Sequence, residues 1–156
     1  MDSLNNISDA IKKTSLGAEE LLSLCESEYD SIEEEAKRIS LEFLEWLELE
    51  NNKRKIGDKS VLRVRVRRRG RFVLNITWQY TRFYKNRNGW VPRSADISKG
   101  RSSVYPRDRL AKRALGWELD EVMRCEHQFG QLRSRQKQLG TMVRYLTSFI
   151  RQSKKQ

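Results

Sequence analysis

Between residues 61 and 72, apolar and cationic side chains alternate one for one: Leu62, Val64 and Val66 with Arg63, Arg65 and Arg67. A period of two predicts a β-strand with one face buried and the other carrying guanidinium groups. The next run keeps the same parity. Phe72, Leu74, Ile76, Trp78 and Tyr80 lie on one side, and Val73, Asn75, Thr77 and Gln79 on the other. Joined as a hairpin, the two runs must set even positions against even ones, or apolar residues would face water. A three-residue loop, Arg69-Gly70-Arg71, satisfies that rule and predicts Val66 opposite Leu74 and Val64 opposite Ile76. Residues 81–90 read as an extension of the second strand into an Asn88-Gly89 turn. Trp90-Val91-Pro92 reads as the start of a third strand, which Pro92 confines to an edge. Ser94 to Val104 reads as a basic loop.

On either side of this region the apolar spacing changes to three–four. Leu4, Ile7, Ile11, Ala18, Leu21, Cys25, Ile32, Ile39, Phe43 and Trp46 predict a helix from about Leu4 to Asn51-Asn52. Thr14, Glu28 and Glu35 interrupt its seam, and Gly17 marks a break. A second long helix is predicted from about Pro106 to Arg151. Its seam is Leu115, Leu119, Val122, Phe129, Leu132, Leu139, Val143, Leu146 and Ile150. Gly116, Gly130 and Gly140 each cost a helix about 1 kcal/mol against alanine, and are read as points of close helix–helix approach. One-sided elements bury their apolar faces on one another. The expected class is therefore α+β: two long helices packed antiparallel, with an arginine-rich antiparallel β-hairpin, extendable to three strands, between them in sequence. One domain is expected, composed of an acidic helical segment (1–50), a basic strand-and-loop region (51–105) and a long helix (106–156).

Charge sharpens the picture because it is unevenly placed. The 156-residue chain is +11 overall, yet residues 1–50 carry fourteen acids and four bases, and residues 51–156 carry seven acids and 28 bases. Such asymmetry points to a polyanion-binding module whose acidic segment pairs within or between subunits. Six arginines lie between residues 63 and 71 with no acid among them. Guarding a sheet edge against aggregation is the plainer role for such a row, but lysine is the usual guard. Arginine is the residue suited to forked contacts with phosphate and guanine.

The nucleic-acid contacts expected from sequence are Arg63, Arg65, Arg67, Arg68, Arg69 and Arg71 on the hairpin. Arg107, Arg109, Lys112 and Arg113 at the second helix, with Arg101 before it, form a second basic cluster. Arg82, Lys85, Arg87, Arg93 and Lys99 would join the two. Tyr84 and Trp90, close to a turn, are the candidates for base stacking, whereas Phe83 and Trp78 are read as packing residues. The expected partner is a nucleic acid, whether duplex DNA, a single strand or RNA; the alternative is a coiled-coil-like adaptor with an acidic protein partner. The acidic first helix is also a candidate for self-association into a homodimer.

Other chemistry finds no pattern. His127 is the one histidine, and no phosphate-binding loop, nucleophile elbow or metal-ligand spacing occurs. Neither enzyme activity nor a cofactor is expected. Cys25 and Cys125 read as free buried thiols of a reducing cytosol. No run approaches the ~20 apolar residues of a membrane span, and no signal peptide is visible, so a cytoplasmic location is expected.

Several short motifs bear a family likeness. They are Ile76-Thr-Trp-Gln-Tyr80, Arg82-Phe83-Tyr84, Gly89-Trp90, Ile97-Ser-Lys-Gly100, Tyr105-Pro106, Trp117-Glu118 and Glu126-His-Gln-Phe129. Through them residues 60–135 resemble the MobI-like conjugative transfer proteins, while the acidic N-terminal helix adds nothing specific. The resemblance implies an accessory factor that binds double-stranded DNA at the origin of transfer and helps a relaxase or other transfer-initiation protein begin DNA processing. It brings no catalytic residue with it.

Overall fold

The computed structural model describes residues 2–155, and their side chains except those of residues 2–5, 8 and 11. The expected seam positions Leu4 and Ile11 fall outside the described side chains.

Helix α1, Asp2–Asn52, is continuous. It passes through Gly17, so the expected break there is corrected: the strong helix formers on both sides, Ala, Glu and Leu, carry one glycine without loss of the helix. Its buried stripe is Ala18, Leu22, Cys25, Tyr29, Ile32, Ala36, Ile39, Phe43 and Leu47, spaced three or four apart throughout. Tyr29 and Ala36 carry the seam past Glu28 and Glu35. Leu21 and Ile7, expected inside, are exposed.

After a 3-10 turn at Ile56–Asp58 come strands β1 (Leu62–Gly70), β2 (Val73–Asn86) and β3 (Gly89–Asp96), forming an antiparallel sheet in the order β1-β2-β3. Even positions face even positions, but the register lies two residues from the expected one: Val66 pairs with Ile76 and Val64 with Trp78. The cause is local. Arg68 pairs with Leu74 and Gly70 with Val73, which leaves a bulge at Arg69 and a turn of only Arg71-Phe72. The bulge supplies the odd residue that parity requires, so a two-residue turn becomes compatible. Gly89 closes the second hairpin with a φ of 117°, a conformation that glycine adopts without strain. Ser94 to Asp96 belong to β3 rather than to a loop, and Pro92 lies on this edge strand.

The C-terminal half is two helices, not the expected one: α2 (Arg107–Ala111) and α3 (Leu119–Ser153). The turn between them contains Gly116, and the Glu118 carboxylate accepts the Leu115 amide at 2.7 Å. This backward contact satisfies a donor at the start of α3, as the acidic member of a capping box does. It makes residues 115–118 a helix entry instead of helix interior.

Trp78 is fully buried where the layers meet. Its ring lies edge-on to Phe43 of α1 at 5.2 Å and to Phe129 of α3 at 6.0 Å. Edge-to-face geometry is the favourable arrangement for aromatic pairs. Contacts between the long helices descend α3 as they climb α1: Glu19 with Lys154 (3.6 Å), Glu28 with Arg135 (3.2 Å), and the Tyr29 hydroxyl donating to the Gln136 carbonyl (3.3 Å). Close approach explains one glycine as expected, because a β-carbon on Gly140 would sit 3.4 Å from the Tyr29 oxygen. At Gly130 the near neighbour is instead Val104 in a loop, at 3.0 Å. Both cysteines are free and buried, and burial pushes the Cys125 thiol up to about 12. No helix among the described residues is long and apolar enough to cross a membrane.

Candidate nucleic-acid interface

Strand parity decides where each cation points. Arg63, Arg65 and Arg67 stand on the sheet face away from the helices, beside Gln79, Thr77 and Asn75. Arg63 and Arg67 are exposed and have no acidic partner among the described residues. Arg65 differs: it is half-buried and ion-paired at 3.1 Å with Asp96, which also accepts from Gln79 at 2.5 Å. Asp96 is the single acid on this face.

Arg68 has the parity of the buried residues and turns towards α1. It is only 19% exposed, lies 3.3 Å from both Asp30 and Glu33, and stands over the Tyr29 ring. Arg71 pairs with Glu26 at 2.5 Å. The acidic helix therefore neutralises the turn end of the first hairpin, and the structure does not bring Arg68 and Arg71 together with the outward arginines. Arg69, on the bulge, is exposed.

The second hairpin is an arm. From Arg82 to Asn88 every residue is exposed on both faces, since the helices underlie the sheet only as far as about Tyr80. One face presents Arg82, Tyr84, Val91 and Arg93; the other presents Phe83, Lys85, Trp90 and Pro92, with Arg87 at the tip. Between Thr81 and Ala95 there are four bases and no acid. Tyr84 and Trp90 are exposed, as stacking requires. Phe83 is exposed too, which corrects its reading as a packing residue. The signal was present in the sequence: its odd parity is opposite to that of Leu74, Ile76 and Trp78.

The arm and α2 meet around Tyr80. The Arg113 guanidinium lies 4.1 Å and that of Arg82 4.9 Å from the centre of this ring. A hollow of about 240 Å³ opens between Tyr80, Asp96 and Ser98 of the sheet end and Arg109, Lys112 and Arg113. Arg109 donates to the Ser98 carbonyl at 2.9 Å, which fixes it as the hollow's wall. Arg107 is exposed at the start of α2, 3.7 Å from Asp120.

Lys99 and Arg101 occupy a different place, beside the part of β2 that β3 leaves unpaired. There a groove of about 330 Å³ is lined by Asn75, Thr77, Lys99, Arg101, Arg133 and Lys137. Lys99 donates to the Ser102 carbonyl, and burial together with the charges of Arg133 and Lys137 holds its pKa below the usual lysine range. Lys137 is absent from the residues expected on sequence grounds. On a helix, nothing local distinguishes it from a solvated lysine.

His127 is exposed and has Gln131 within 3.3 Å. Among the described residues no three His, Cys, Asp or Glu side chains converge as metal ligands would.

The family model described as MobI protein matches residues 32–147. That span takes in the second half of α1 as well as the sheet, so the likeness extends further than the strand and turn motifs suggest. No curated protein and no solved structure matches the chain.

Proposed function

The chain belongs to the MobI family, whose model covers α1 from Ile32, the sheet and most of α3, and from that premise we propose that it is a DNA-binding accessory protein of conjugative transfer. On this reading it recognises the origin of transfer and assists a relaxase without itself catalysing a reaction. The observation that carries the reading is the division of the cations. Arginines at the turn of the first hairpin are neutralised by Glu26, Asp30 and Glu33. By contrast Arg63, Arg67 and the arm bases Arg82, Lys85, Arg87 and Arg93 have no acidic partner among the described residues, and neither have Lys112 and Arg113. A polyanion supplies the charge that the chain itself does not.

Two-stranded ribbons enter the major or the minor groove, and in the major groove arginine can read guanine. The arm is such a ribbon, so it is the proposed reader. The sheet-face arginines, Arg101 and the α2 cluster would hold phosphates and set position. The relevant DNA lies in the cytoplasm, which is the location proposed.

A second copy is the proposed occupant of an apolar groove at the far end of α1 and α3. This groove, about 410 Å³, is lined by Leu21, Leu24, Leu139, Met142, Tyr145 and Leu146. No base lies between Lys13 and Lys37 on α1, and no acid follows Glu126 on α3. A two-fold axis running along the groove, parallel to the helices, would set the acidic helix of one copy against the basic helix of the other, and give the complex two arms.

The deciding experiment is a salt titration of binding to a duplex carrying the transfer origin, a random duplex and a matching single strand. Preference for the origin duplex that persists at about 0.15 M salt supports the reading. Equal binding to all three that collapses with salt would leave only a polyanion surface. Preference for the single strand would favour the stacking alternative, for which the exposed Tyr84 and Trp90 provide the aromatic faces.

A further inference from the structure

The arm carries an apolar feature that groove reading by arginine does not use. Phe83 is 56% and Trp90 68% exposed. Phe83 stands directly opposite Pro92, and Trp90 opposite Lys85, all on the same face. Phe83, Pro92 and Trp90 thus form a contiguous apolar patch on a ribbon that no other part of the chain covers among the described residues. Large aromatic side chains left in water are costly, and contiguous exposed patches mark interaction sites.

Resting on the DNA-binding reading above, we infer that this patch is a wedge: Phe83, Pro92 and Trp90 enter a base-pair step of duplex DNA and unstack it. The charge around the patch selects the occupant. Lys85 stands beside Trp90 on the same face and Arg87 at the tip, Arg82 and Arg93 lie on the reverse face of the same two strands, and no acid occurs from Thr81 to Ala95. An apolar protein pocket would not call for so cationic a ribbon, whereas DNA offers apolar base faces bordered by phosphates. Composition selects the duplex over the single strand. Proline has no π-face to serve as a stacking platform, but together with phenylalanine it is among the residues that proteins wedge between base pairs. Geometry agrees, because Phe83 and Pro92 sit side by side on paired strands and would enter one step together. Such wedges kink a duplex by about 20–90°, most readily at flexible pyrimidine–purine steps. The proposed activity is local distortion of DNA, a service distinct from recognition.

The test uses the full chain and a duplex of about 30 base pairs with one central TA step. Dyes at the two ends report bending by energy transfer, and 2-aminopurine in place of the adenine at the step reports unstacking; affinity is measured on the same duplex. The native chain should bring the ends together and raise 2-aminopurine fluorescence. At protein concentrations that saturate the duplex, F83A/W90A should show the circular dichroism of the native fold but give neither signal. F83L should keep them, since leucine also serves as a wedge and has no aromatic face. R82Q/R93Q should weaken binding and its salt dependence. Binding by the native chain with neither signal overturns the wedge and leaves DNA binding standing, as would full signals from F83A/W90A. Failure of the native chain to bind any duplex removes the underlying reading, and with it the wedge.

Discussion

The Glu126 carboxylate and the Arg133 guanidinium lie 2.8 Å apart, two turns along the same face of α3, and both are almost wholly buried. Each also holds the sheet and the loop in front of it. Glu126 accepts from the Trp78 indole at 2.8 Å and the Tyr105 amide at 2.7 Å. Arg133 donates to the Ile76 carbonyl at 3.1 Å and the Ser103 carbonyl at 3.0 Å. The pair thereby closes off the β2 edge that β3 does not reach, and Gln136 does the same for the Leu74 carbonyl at 2.5 Å.

Removing one member leaves the other charged, buried and unpaired, which costs about 3–5 kcal/mol. Arg133→Met should lower stability by that amount in urea unfolding. The double change E126L/R133M should recover part of the loss, because no lone charge remains. A loss below about 1 kcal/mol for R133M, the range of exposed pairs, would mean that the pair is solvated in solution.

Glu118 gives the fold a pH dependence. It is fully buried, and one of its oxygens has no hydrogen-bond partner. Burial raises its pKa above the usual glutamate range, and the Ser60 hydroxyl, the Leu115 amide and the Arg54 charge offset this only in part. A raised folded-state pKa means that the folded chain holds the proton more tightly than the unfolded one. This contribution is therefore complete below the unfolded value and is lost as pH rises through the folded value. Glu118→Gln should gain on the native chain in urea unfolding as pH rises through that window. Parallel stability–pH curves would show that the carboxyl is not desolvated.

The division of the arginines predicts opposite phenotypes. R63Q/R67Q should weaken DNA binding and lower the slope of log K against log salt by about 2, near 0.9 for each phosphate no longer neutralised, with the unfolding midpoint unchanged. R68Q/R71Q should reduce stability and leave the slope as it is. Arg65 should give a smaller binding effect than Arg67 because Asp96 already occupies it. A drop in slope for R68Q/R71Q equal to that of R63Q/R67Q would refute the division.

Self-association is testable by mass. Light scattering at micromolar concentration should give twice 18.5 kDa for the native chain. L24E/Y145E, which alters two residues 63% and 75% exposed on the groove, should give the monomer mass. A native chain that is monomeric under these conditions would sink the proposal for that groove.

Much of this architecture was written in periodicity. Alternation from Leu62 to Tyr80 was enough to establish that one sheet face is apolar and the other cationic, because successive β-carbons point to opposite sides whatever the chain does elsewhere. Three–four spacing likewise established the two long helices, and parity alone would have put Phe83 outside. These are properties of the backbone and its immediate neighbours.

Which cations remain unpaired became visible only in the folded chain. Arg67 and Arg68 are adjacent and chemically the same, yet one faces solvent while the other meets Asp30 and Glu33, more than thirty residues earlier. The two-residue register change came from a bulge at Arg69, a small local rearrangement that keeps parity and so leaves no trace in the hydrophobic pattern. The arm, too, was invisible as an arm, since its exposure depends on how far the helices extend beneath the sheet. Ion pairing and burial are set by distances between elements remote in sequence, and a linear pattern contains no such distances.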